Sequence, residues 1–237
     1  MKQYNGEKAI ISLTSWKARI NTVGKTLYSL LSNCPGFHIV LVLAEEEFPL
    51  KEAELPEELM LFVDNDLIEI LWVQKNYKAF KKILFTMDKY RTVPIISADD
   101  DCIYKYNYAE RMYSEWNKND KKTFVSIWGK RTTFVERNNF KIWHNGGAGT
   151  LYPPYIFGKY GLLLLTDKVL SLTDQDDDYY SCLKILLKLN KCIVIGPWRD
   201  VYEFHDEECP LHNLKKVQSS RKSRLLEEME TNFKKLK

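Results

Sequence analysis

The chain has 237 residues, 45% of them hydrophobic and 13% aromatic, which supports a substantial core and excludes a disordered chain. Five cysteines (Cys34, Cys102, Cys182, Cys192, Cys209) make no CxxC pair and no dense cluster, which argues against a disulfide framework or a structural zinc site and favours a reducing, cytoplasmic setting. The net charge of +3 is a property of the end of the chain: residues 215–237 hold eight Lys or Arg against three Glu, so no basic surface elsewhere points to nucleic acid as a partner.

The opening "MKQYNGEKAIISLTSW" lacks the apolar stretch of a signal peptide, and no segment reaches the roughly 18 apolar residues of a membrane span. Strand-like and helix-like runs then alternate: strand 8–13, helix 22–33, strand 37–44, helix 56–63, strand 68–73, helix 77–90 and strand 93–98. Short apolar strands separated by helices predict a mostly parallel, Rossmann-type sheet flanked by helices, with ligands in the crevice at the C-terminal strand ends. The second half is less regular, with a strand at 122–129, a loop at 144–154, a helix at 177–190, a strand at 191–196 and a basic terminal helix. No linker or repeat divides the chain, so one domain is expected: a nucleotide-binding half over about 1–105, an acceptor-side half over about 106–213 and the basic helix over about 214–237. That helix reads as a solvated end or as a peripheral contact with acidic lipid headgroups.

"PIISADDDCIY" ends a buried strand on three aspartates. Like charges so placed repel one another without a cation, and hard divalent ions such as Mg²⁺ and Mn²⁺ take oxygen ligands. Asp99 and Asp101, at i and i+2, are placed to point into the crevice, with Asp100 between them. Mg²⁺ is commonly held by one or two carboxylates plus substrate phosphates, which suits a nucleotide diphosphate. The loop after the first strand, "SLTSWKARINT", supplies Thr14, Ser15, Trp16 and Arg19 on the same sheet edge, or else merely caps the next helix through Asn21 or Thr22. The GxGxxG and GxxxxGK[ST] fingerprints are absent, which argues against a dinucleotide dehydrogenase and a P-loop NTPase.

Six segments, "ISLTSWKARI", "LVLAEEEFP", "NYKAFKKI", "SADDDCIY", "GGAGTLYPP" and "DQDDDYY", stand together and in order over about residues 8–190. In this the chain resembles bacterial glycosyltransferases of the GT-A fold, family-2-like. The resemblance implies a GT-A-like α/β fold, a nucleotide-sugar donor with UDP as the handle, and a carbohydrate or lipid-linked glycan acceptor in capsule, lipopolysaccharide or other cell-surface glycan assembly. It implies a hexosyltransferase type of activity with Mn²⁺ or Mg²⁺ as cofactor. The metal would be held by Asp99, Asp100 and Asp101, with Asp101 first among them, and the nucleotide by Thr14, Ser15 and Arg19.

Lys78, Lys81 and Lys82 stand about one helical turn apart at a helix start, within reach of a diphosphate, although Lys82 also reads as part of a solvated face. In "WHNGGAGTLYPP", Gly146, Gly147 and Gly149 permit close backbone approach or a tight loop, while Trp143 and Tyr152 offer rings for sugar stacking. Asp176 to Asp178 suit the first turn of a helix. The resemblance implies instead that one of them, Asp177 before Asp176, is the base of an inverting reaction. Relatives of this type often carry an apolar residue and tryptophan after the paired acids, where Asp178 and Tyr179 stand here, which leaves the register of the base open by one. His205, and after it His212, would match a late histidine that some GT-A enzymes use as a further metal ligand. A sugar nucleotidyltransferase is the rival enzyme, but "SLTSWKARI" lacks the glycine such a loop carries; a non-catalytic nucleotide- or carbohydrate-binding module would bind donor without turnover.

Overall fold

The structure, a computed structural model, describes residues 2–130, 143–144, 149–173, 176–200, 202–204 and 219–237. The first half alternates as the pattern requires: β1 (Ile10–Thr14), α1 (Val23–Asn33), β2 (His38–Ala44), α2 (Glu57–Asp64), β3 (Glu69–Val73), α3 (Lys81–Lys89) and β4 (Ile95–Ser97). There follow β5 (Cys102–Tyr104), α4 (Tyr108–Lys118), β6 (Phe124–Ser126), β7 (Gly129–Lys130), β8 (Trp143–His144) and β9 (Thr150–Tyr152). The chain continues with α5 (Tyr160–Leu163), α6 (Asp167–Leu172), α7 (Asp176–Leu186), β10 (Cys192–Val194), β11 (Tyr202–Phe204) and α8 (Ser219–Lys235).

Seven strands build the central sheet in the order β10-β6-β9-β4-β1-β2-β3. β1 pairs in parallel with β2 (Ile10↔His38 to Thr14↔Val42) and with β4 (Ile10↔Ile95 to Ser12↔Ser97), β2 with β3, and β10 with β6; among the described strands of this sheet only β9 runs antiparallel, between β4 and β6. This is the mostly parallel, helix-flanked α/β sheet that the alternation predicts. Every residue of β2 is buried because both faces are covered. Ile11, Leu13, Ile39 and Leu41 face a layer that includes α1, α2 and α4, while Ile10, Val40, Val42 and Ile95 face α3 and the later helices. Each such side chain contributes about 1.5–3 kcal/mol by leaving water.

Departures from the pattern have local causes. The expected helix 77–90 begins as a separate 3-10 turn, Lys78–Phe80, because Lys78 takes φ +51° and donates its N–H to Asn76 Oδ1 at 2.8 Å. The expected loop 144–154 contains β9, which inserts between β4 and β6 and stops at Pro153. α4, which the strand pattern does not announce, buries Tyr108, Met112 and Trp116 at helical spacing. α8 is more than a solvated end: Leu225, Leu226 and Met229 enter the core, Lys222 Nζ lies 2.8 Å from Asp178 Oδ1, and Lys168 Nζ lies 2.5 Å from Glu228 Oε2. Among the described residues no helix is long and apolar enough to cross a membrane.

Candidate functional site

Strand order reverses between β1 and β4: from β1 the chain moves to β2 and β3 on one side, then returns to β4 on the other. The crevice outside the C-terminal ends of two such strands is where an open α/β sheet holds ligands. β1 delivers Ser15 and Arg19 there, β4 delivers Asp99 to Asp101, and α3 begins beside them with Lys81 and Lys82.

The aspartates are held by a built framework. Thr26 Oγ1 of α1 lies 2.9 Å from both the Asp100 and the Cys102 carbonyl oxygens, and Ser29 Oγ accepts the Tyr104 N–H at 3.0 Å. The Tyr104 hydroxyl accepts the Asp99 N–H at 2.7 Å, and the Tyr108 hydroxyl donates to the Ser97 carbonyl at 2.5 Å. The turn is therefore fastened at both ends.

Three carboxylates persist there because cations answer them. Arg19, 2% exposed, places Nη1 2.9 Å from Asp100 Oδ1 and 3.1 Å from Asp101 Oδ2, and Ser15 Oγ donates to Asp100 Oδ2 at 2.6 Å. Lys82 Nζ donates to Asp99 Oδ1 at 2.6 Å. Asp100 is the most enclosed of the three, its side chain 9% exposed against 32% for Asp99 and 16% for Asp101. Burial, reinforced by the neighbouring Asp99 charge and only partly opposed by Arg19, pushes the Asp101 carboxyl up to about 6.

Lys81 is buried and donates to Asn76 Oδ1 at 3.2 Å, with Glu47 Oε2 at 3.7 Å. Burial draws the Lys81 ammonium below its ordinary value despite Glu47, and the same enclosure raises the Glu47 carboxyl. Glu46 Oε2 accepts the Asn76 N–H at 2.7 Å, so the segment after β2 and the entry to α3 are joined.

The structure thus brings Ser15, Arg19, Lys81 and Asp99 to Asp101 to one edge. Thr14 is at that edge too, but its hydroxyl donates to the Val42 carbonyl at 2.7 Å and ties β1 to β2. Trp16 is 37% exposed at the mouth of the loop. Lys78 is exposed on the turn before α3, its amide engaged by Asn76. Thr22 precedes α1 without a side-chain cap, so Arg19 and Ser15 face the aspartates rather than the helix end.

Tyr152, expected to offer a ring to a sugar, is a core residue instead. It is fully buried with its ring 5.7 Å from Phe124, 5.9 Å from Phe157 and 5.4 Å from Tyr180, and it pairs with Ile95 at the opposite end of β4. Its period-2 place in a buried strand overrides the loop reading. Gly149 likewise has a packing cause: at φ +81°, a Cβ there would stand 2.1 Å from Ile127 Cδ1. Asp178 is buried and paired with Lys222, and the Tyr179 hydroxyl donates to the Gly161 carbonyl at 2.6 Å, so these two serve the packing of α7. Gly146, Gly147, His205 and His212 lie outside the described residues, as do the side chains of Trp143, Asp176 and Asp177.

Sequence reading left Lys82 open between the diphosphate and a solvated face, and missed Glu47 and Asn76. Lys82 is buried at the helix start with its charge turned to Asp99. The available signal was two adjacent lysines in the first turn of a helix whose next residues, Ile83, Leu84 and Met87, are core.

No family model matches the chain, and no curated protein matches it. Among solved structures the chain is similar to the glycosyltransferase GlyE of Streptococcus pneumoniae TIGR4, at 15% identity and a TM-score of 0.44, over 80% of this chain. The chain spans 46% of the length of that structure.

Among the described residues no three His, Cys, Asp or Glu side chains converge as a metal cage. Two carboxylates with solvent access, Asp99 and Asp101, remain, and a hard ion that completes its shell with phosphate and water needs no more than one or two from the protein. The donor set therefore fits Mg²⁺ or Mn²⁺ arriving with a phosphate ligand.

Proposed function

We propose that the chain is a metal-dependent glycosyltransferase that moves a sugar from a nucleoside diphosphate donor, with UDP the first candidate, to a carbohydrate acceptor, lipid-linked or free, in cell-surface glycan assembly. The observation that carries this reading is the convergence, at the reversal of strand order, of Asp99 to Asp101 with Arg19, Lys81 and Lys82. Strands from both halves of the sequence share one sheet, which supports a single domain with the donor on the first half and the acceptor on the second.

When bound at Asp99 and Asp101, Mn²⁺ or Mg²⁺ would neutralise the charge that develops on the departing diphosphate. Asp100 holds Arg19 and Ser15 in place and so positions its neighbours, while Lys81 and Lys78 would meet the phosphates from the α3 side. Trp16 offers its exposed ring to the base. Gly146, Gly147 and Trp143 would shape the acceptor side. His205 would be a third ligand: its neighbour Phe204 pairs with Cys102, the residue after Asp101. Asp177, or Asp176 one residue before it, would take the proton of the acceptor hydroxyl as that oxygen attacks the anomeric carbon, with inversion, and the bond to the diphosphate breaks. The basic end of α8 would bring the protein to an acidic membrane surface where a lipid-linked acceptor resides.

A thermal-shift screen of UDP, GDP, TDP and CMP with and without Mn²⁺ tests the donor site, since a ligand of the native state raises apparent stability. A metal-dependent shift with one nucleotide is expected. Asp101→Asn should remove that shift, and Asp177→Asn should keep it while abolishing transfer from the matching nucleotide sugar. Normal turnover in Asp101→Asn would sink the metal assignment, and normal turnover in Asp177→Asn would move the base elsewhere.

A further inference from the structure

Lys82 is counted above among the charges that converge on the aspartates but is given no role of its own, and it is among the most enclosed charges of the site. Its side chain is 3% exposed and its Nζ donates to Asp99 Oδ1. The Lys82 carbonyl accepts the Ser12 hydroxyl at 2.5 Å, and that hydroxyl also lies 2.8 Å from Thr86 Oγ1. The first turn of α3 is thereby fastened to β1, and the ammonium stays at the crevice.

A helix start already carries partial positive charge, so burying an ammonium in it is unfavourable unless negative charge faces it. Asp99 supplies that charge in the protein alone. A divalent ion approaching Asp99 meets the same lysine as a like charge a few ångströms away, on a side chain only 3% exposed and so little screened by water. A diphosphate reverses the balance, because it answers the lysine and the ion together.

We infer, resting on the donor site proposed above, that Lys82 is the resident counter-cation of Asp99, which disfavours a divalent ion alone, favours a diphosphate, and so makes ion and diphosphate bind as a unit. The consequence is a substitution that moves two ligands in opposite directions.

Titration calorimetry on the full chain, with Mn²⁺ alone, inorganic pyrophosphate alone in metal-free buffer, and both together, tests this on the wild type, Lys82→Met and Lys82→Arg. Lys82→Met should bind Mn²⁺ about tenfold more tightly and pyrophosphate about tenfold more weakly, and should lose most of the synergy between them. Lys82→Arg, which keeps the charge, should behave as the wild type does. Weakening of both ligands, which a merely structural lysine would give, overturns the inference, as does unchanged Mn²⁺ affinity. Should Lys82→Met fail to fold by circular dichroism, Lys82→Gln is read by the same criteria. A wild type that binds neither probe, alone or together, overturns the donor site as well, whereas normal wild-type synergy that survives Lys82→Met overturns this inference alone.

Discussion

Replacing Arg19 by Met keeps most of the side-chain volume and removes one charge from a place water hardly reaches. Arg19 and Asp100 are 3% and 9% exposed at the side chain, and their contact is 2.9 Å. Without the guanidinium, Asp100 keeps Ser15 Oγ at 2.6 Å but loses its counter-charge, and Asp101 loses the 3.1 Å contact to Nη1. Breaking a buried pair by removing one partner costs about 3–5 kcal/mol, because the remaining charge is left uncompensated. At roughly 2–4 °C per kcal/mol for a chain of this size, the midpoint of thermal unfolding should fall by roughly 6–20 °C. Urea unfolding followed by tryptophan fluorescence measures the loss directly. Asp100→Asn added to Arg19→Met should recover part of it, with a coupling of about 1–3 kcal/mol, since the orphaned charge is then gone. An Arg19→Met loss below about 1 kcal/mol, the worth of an exposed surface pair, would refute the claim that Arg19 holds the aspartate turn.

Gly149→Ala forces a Cβ to within 2.1 Å of Ile127 Cδ1 and places a side chain at φ +81°, so overpacking and left-handed strain together should cost about 2–4 kcal/mol, read by urea unfolding. Tyr152→Ala should cost about 3–5 kcal/mol as a core truncation and leave the nucleotide-dependent thermal shift in place; loss of that shift in a still-folded variant would return Tyr152 to the ligand side. Glu69 gives a pH dependence of definite sign. Burial pushes its carboxyl up, but His38 at 2.7 Å, Lys89 at 2.8 Å and Tyr90 at 2.5 Å outweigh that and hold it below the ordinary range. A depressed carboxylate contributes stability above its unfolded value of about 4.3 and loses it as pH falls through the folded value. Unfolding free energy should therefore drop more steeply from pH 5 to pH 3 in the wild type than in Glu69→Gln, and equal slopes would remove Glu69 from the acid response.

The parallel half of the sheet was readable because each strand from Ile10 to Ser97 is a short apolar run, and each intervening helix has its own period. β9 was not, because three residues between glycines and prolines carry too little periodic signal, and its strand character comes from the ladders of β4 and β6 on either side. The aspartate turn was legible as a charge anomaly, and Ser15 and Arg19 as its neighbours by topology. Lys82 was left open, because sequence spacing alone does not say whether both of two adjacent lysines turn inward; that is fixed by the hydroxyl contact of Ser12 with the Lys82 carbonyl and by the core packing of Ile83 and Leu84. Tyr152 misled for the opposite reason, since an aromatic beside glycines has the same letters whether it faces a ligand or a core.

Two ionic clusters sit at opposite ends of the same strands, and their difference says which one is suited to a ligand. At the N-terminal edge, His38 begins β2 and Glu69 begins β3; the Glu69 side chain is 4% exposed and both its oxygens are engaged by His38, Lys89 and Tyr90. That cluster is closed, and its carboxylate is driven further into the charged form. At the C-terminal edge the charges are as enclosed at their centre, on Arg19 and Asp100, but they open outward through Asp99 and Asp101, and the Asp101 carboxyl is driven the other way, toward the neutral form. Buried ion pairs are weak evidence for stability, because well-packed apolar residues of similar volume often do as well or better. A cluster that leaves one carboxylate underserved is weaker still as a stabilising device. Its electrostatics are relieved by an added positive charge, whereas both Glu69 oxygens are already engaged by His38, Lys89 and Tyr90.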